Sequence, residues 1–149
     1  MKPFLGIFLL IYVFIPVSCN QDSGKELSSS EFNEVYQLSE MALLMEDMYS
    51  ELEKIRPQII QNKAIGAYPR MLVKIHTAEM TNTFERNFEF ERFSNLLLEN
   101  QKALYDSPAD SSRVEFYNTV VRSCVLCHQS EVGCPGPIPR INGLIIPMN

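Results

Sequence analysis

Between Asp110 and His128 the chain spells a helix whose inner face carries more than apolar side chains. Val114, Tyr117, Val121, Cys124 and His128 recur at spacings of three and four residues, the period of one side of an α-helix. Asp110-Ser111-Ser112, with Glu115 three residues after Ser112, gives the start of that helix a capping signature. Cys124 and His128 therefore share the side that packs against the rest of the protein. Whatever they do, they do it between helices.

Other segments offer more helices and no strands. Val35, Leu38, Met41, Met45, Met48, Leu52 and Ile55 keep the same three-and-four spacing. They predict a first helix over Ser30–Ile55, with Ser28 and Glu31 as a capping box and Pro57 as its stop. Pro69 is placed as the first-turn residue of a second helix through Met71, Leu72, Ile75 and about Met80, before a loop at Thr81-Asn82-Thr83. Phe90, Phe93, Leu96, Leu97 and Leu104 predict a third helix, ended by Ser107-Pro108. No period-two alternation, internal repeat or Gly/Ser linker interrupts this pattern. The expected fold is all-α, an antiparallel four-helix bundle. Its 149 residues suffice for one domain, and a net charge of -5 argues against a phosphate-binding face for nucleic acid.

The N-terminus places the chain outside the cytoplasm. Lys2 precedes an apolar run from Phe4 to Ile15, which reads as a signal peptide over residues 1–18 and is short for a bilayer span. Cys19 follows Val17-Ser18 and opens a polar stretch from Asn20 to Ser30. This resembles the lipobox of bacterial lipoproteins, which implies lipidation of Cys19 and a flexible tether over 19–29. The expected location is the periplasm or cell envelope, on a membrane through the lipid. Residues 30–149 would be the helical domain with a Pro-rich C-terminal tail.

Cys124-Val125-Leu126-Cys127-His128 carries the chemistry. C-x-x-C-H is the attachment sequence of c-type haem: two thiols placed to add to two vinyl groups, and an imidazole next to the second thiol to reach the iron. Three other readings compete. A thioredoxin-like pair sits at the start of a helix beside strands, whereas this one ends a helix. A structural zinc site needs a fourth ligand, for which Cys134 is the available residue. A Cys127–Cys134 disulfide suits the compartment and leaves His128 without a role.

Haem attachment late in a helical bundle resembles the class II cytochromes c, of cytochrome c′ type. That resemblance implies one covalent haem c on the C-terminal helix, thioether links at Cys124 and Cys127, and His128 as the proximal ligand. The Met-rich stretch Met41 to Met48 is similar to that family's first helix, which faces the distal side. The segment Cys134-Pro135-Gly136-Pro137-Ile138-Pro139-Arg140-Ile141 departs from the basic pattern and looks like small haem lipoproteins of Gram-negative bacteria.

The sixth position decides the mechanism. Met41 or Met45 would complete a site suited to electron transfer, and His76 would make it bis-histidine with a lower potential. Met148 is a remoter candidate. Each of these side chains also has an ordinary structural use, Met as core filler and His as a hydrogen-bonded group. Arg70, Lys74 and Arg140 are cations available to haem propionates, and nothing in their spacing selects one. The acidic runs at Glu46-Asp47 and Glu85 to Glu91 read as solvated faces able to steer a basic partner.

The expected protein is an electron carrier rather than an enzyme, with periplasmic or membrane redox proteins as partners and an apolar stripe on the first helix as a possible homodimer contact. The alternatives are a gas-binding five-coordinate haem protein and a non-haem lipoprotein with C-x-x-C-H as a metal or disulfide staple.

Overall fold

A computed structural model of the chain describes residues 37–148. The expected signal peptide over 1–18, Cys19 with its expected tether and the start of the predicted first helix lie outside the described residues.

The described residues are all-helical, without strands. Helix α1 spans Glu40–Ile60, a 3₁₀ segment Arg70–His76, α2 Phe88–Asp106, α3 Arg113–Gln129, and α4 Ile138–Asn142. α2 and α3 form the most extensive pair, and α3 also touches α1 and α4. The cysteine-bearing helix is thus the central one.

α1 starts later than its periodicity predicts. Ser39 caps it, accepting a 3.1 Å bond from the Ala42 N–H, and Leu38 is exposed ahead of the first turn. Met41, Leu44, Met48, Leu52, Ile55 and Ile59 form its buried stripe. The helix also runs through Pro57, the residue expected to end it. Proline removes the N–H that Glu53's carbonyl would accept, a loss softened where Pro57 and Glu53 are both exposed to water. One more turn buries Ile59 completely. Termination falls instead at Asn62, whose φ of 54° is the left-handed cap conformation.

The predicted second helix is a 3₁₀ segment. Leu72 and Ile75 are its buried side chains, three apart, the spacing that a three-residue turn places on one face. The segment ends at His76 rather than near Met80.

α2 matches expectation closely. Asn87 caps it through the Phe90 N–H at 2.9 Å, Glu89 and Glu91 complement the dipole of its first turn, and Phe90, Leu97 and Leu104 are buried. Leu96, expected inside, is exposed. In the link to α3, Asp110 rather than Ser112 does the capping work, accepting from the Ser112 N–H at 2.8 Å and hydroxyl at 2.6 Å. Those bonds hold its carboxyl below the usual range. Arg113 is buried there, donating to the Ser107 hydroxyl and carbonyl and to the Lys63 carbonyl.

The Pro-rich tail is a packed strap. Ile141, Leu144 and Ile146 are buried against the helices. Arg56 Nε donates to the Leu144 carbonyl at 3.0 Å. Asn118, fully buried on α3, binds both backbone groups of Ile146: its Nδ2 donates to the carbonyl at 2.8 Å and its Oδ1 accepts from the N–H at 2.9 Å. This satisfies an extended segment's backbone as a neighbouring strand would.

Candidate functional site

The last two turns of α3 carry Cys124, Cys127 and His128 at helical positions i, i+3 and i+4, so all three point the same way. They line one cavity of about 80 Å³. Its facing wall is α1 at Met45, Met48, Tyr49 and Leu52, with Phe93 and Leu97 of α2 at the side. The strap closes it with Pro137, Ile141 and Leu144. Nearly all of this lining is apolar.

That setting governs the thiols. Burial pushes Cys124 up to about 12, with the neighbouring Cys127 adding to the shift. Cys127 rises to about 11, from burial first and Glu89 second. Both are neutral thiols at physiological pH, the opposite of the activated thiolate in a thiol–disulfide exchange site. They also sit at the helix end where the dipole disfavours negative charge.

His128 is oriented by the turn that follows it. Its Nδ1 lies 2.6 Å from the Cys134 carbonyl oxygen. A carbonyl can only accept, so Nδ1 carries a proton, and in the neutral ring the lone pair is on Nε2. This is the arrangement by which a backbone carbonyl fixes the tautomer of a metal-binding histidine. Gly133 makes the turn possible. A Cβ there would lie 2.5 Å from the Cys127 carbonyl oxygen and 2.7 Å from His128 Cα. Ser130 completes the turn with a hydroxyl bond to the Cys127 carbonyl at 2.7 Å.

The residues expected around a sixth position are separated. Met45 lines the cavity, whereas Met41 is buried in the core outside it. His76 also lies outside, its Nδ1 3.1 Å from a Glu91 carboxylate oxygen. Met148 is exposed. Met48 lines the cavity beside Met45 and belongs to the same predicted stripe, where spacing alone does not single it out. Arg140 also lines it, while Arg70 and Lys74 do not. The Cys134 thiol is exposed, and no three His, Cys, Asp or Glu side chains converge as a metal-ion set among the described residues.

No known family model, curated protein or solved structure matches this chain.

Proposed function

We propose that this chain is a monohaem c-type cytochrome that carries single electrons outside the cytoplasm, tethered to a membrane through Cys19. The observation that carries the reading is the convergence of Cys124, Cys127 and His128 on one apolar cavity, with His128 Nδ1 already committed to a backbone carbonyl. Two thiols and a free imidazole Nε2 on one wall are the donor set of a covalently held haem. The cavity is smaller than the roughly 300–1,000 Å³ of a preformed ligand pocket. A macrocycle would widen it at Met45, Tyr49, Phe93 and Pro137, which are only half-buried.

The iron would supply the redox chemistry, and the protein its ligation, burial and orientation. Cys124 and Cys127 would hold the group through two thioether bonds, one from each thiol. His128 would ligate the iron through Nε2, its ring oriented by the Cys134 carbonyl. Leu52, Leu97, Ile141 and Leu144 exclude water from that space. Met45 or Met48, on the facing wall, would supply the second protein ligand to the iron. In this reading the fold is a variant of the antiparallel four-helix bundle, with the 3₁₀ segment standing for its second helix and the haem on α3. No helix among the described residues is long and apolar enough to cross a membrane.

The test is a pyridine haemochrome assay of chain made with haem-attachment machinery, followed by ferrous spectra with and without carbon monoxide. One covalent haem per chain, low-spin and unmoved by the gas, is the expected result. Absence of covalent haem overturns the proposal. A high-spin spectrum that shifts with the gas turns electron transfer into gas binding.

A further inference from the structure

Arg140 is the one permanent cation among the residues that line the cavity. It reaches the mouth from α4, stacked over the Tyr49 ring at 3.7 Å from the centroid. Its Nη1 donates to both carboxylate oxygens of Glu46, each at 2.8 Å. We infer that Arg140 is the clamp for a carboxylate of the prosthetic group, releasing Glu46 to water when that group is bound. This inference rests on the haem reading above.

Five features support it. A haem brings two propionates, and a carboxylate at the edge of an apolar cavity is costly unless a cation pairs with it. Arginine is the side chain whose planar fork matches a carboxylate with two parallel bonds. Both bonds to Glu46 pass through Nη1, so the other edge of the guanidinium faces no carboxylate among the described residues. The Glu46 pair is also exchangeable: the two side chains are 52% and 48% exposed, and pairs that open to water are weakly held. Tyr49 keeps the guanidinium plane at the mouth whether or not Glu46 stays, because stacking does not depend on the carboxylate.

The experiment compares Arg140→Met, Arg140→Lys and Glu46→Gln in the haem-loaded full chain. Covalent haem is counted first by haemochrome. The midpoint potential and the carboxylate bands of redox-difference infrared spectra are then read. Losing a cation beside the haem favours the ferric state, so R140M lowers the potential and shifts the propionate bands. R140K retains charge without the fork and falls between R140M and wild type. E46Q raises the potential. Covalent haem with potential and carboxylate bands unchanged in both R140M and R140K overturns the clamp and leaves the haem reading standing. Absence of covalent haem from the unmutated chain overturns both.

Discussion

The two halves of α3 differ in what they do with burial. From Arg113 to Ser123 the helix is closed: Tyr117, Asn118, Val120 and Val121 have no exposed surface, and the polar atoms among them are bonded. From Cys124 to Gln129 it is open: both thiols and the imidazole are half-buried around a cavity. One periodic face runs through both halves, so periodicity cannot be what separates them. The difference lies in what packs opposite. In the first half the Tyr117 hydroxyl donates to the Leu52 carbonyl at 3.2 Å and Asn118 fastens the strap at Ile146. In the second, the flexible Met45 and Met48 of α1 face the helix beside Tyr49, Leu52 and Phe93, and a cavity remains between them. Stability should therefore be concentrated in one half and reactivity in the other.

The sharpest break of that division is Tyr117→Ala. It removes a fully buried aromatic ring and its bond to Leu52, for a loss of about 4 kcal/mol in urea unfolding. A loss under about 1 kcal/mol would mean that the closed half is not where the stability resides. Next in size is Asn118→Ala. It strands the buried N–H and carbonyl of Ile146, at about 2–4 kcal/mol for the two groups. Because the same strap covers the cavity through Ile141 and Leu144, this variant should also speed alkylation of Cys124. Unchanged alkylation would show that the halves are independent.

A pH titration of the haem-free chain isolates the open half. Cys124 and Cys127 have folded pKa values of about 12 and 11 against an ordinary 9.0, so folding favours the neutral thiols. The stability they contribute is complete below pH 9 and is lost as pH rises toward 11 and 12. Tyr105 and Tyr117, raised by burial from 10.0, act in the same direction only above pH 10. Between pH 9 and pH 10 the decline should therefore come from the cysteines and be absent from a Cys124→Ala/Cys127→Ala variant. At pH 8 iodoacetamide should modify Cys127 about a hundredfold more slowly than an ordinary thiol, from its thiolate fraction alone.

The sequence made the closed half largely legible and the open half only on one side. α2 and α3 could be read because long amphipathic helices repeat one face several times. Pro57 misled because its cost was set against the unseen burial of Ile59. Leu72 and Ile75, three apart, fit an α-helix and a 3₁₀ turn equally well. The strap has buried residues at 141, 144 and 146, a spacing belonging to no single period, in a segment that looked like a proline-rich tail. At the site, Cys124, Cys127 and His128 form a local motif and were visible in the chain. Met48, Tyr49 and Arg140 reach the cavity through tertiary packing, which no spacing along the chain records.

His76 offers the smallest effect and a clean control on that contrast. By residue type it stood level with the methionines as a distal ligand. Its ring instead meets Glu91, with side chains 31% and 43% exposed, away from the cavity. A pair this open contributes at most about 1 kcal/mol. His76→Gln should thus change unfolding by less than that and leave the haem spectrum of the loaded chain as it was. Met45→Ala and Met48→Ala supply the comparison, since one of them should open the sixth position and bring a carbon monoxide response. A spectrum altered by H76Q and by neither Met variant would move the distal side from α1 to the 3₁₀ segment. The facing wall would then have to rearrange when haem binds, bringing His76 off Glu91 and into the cavity.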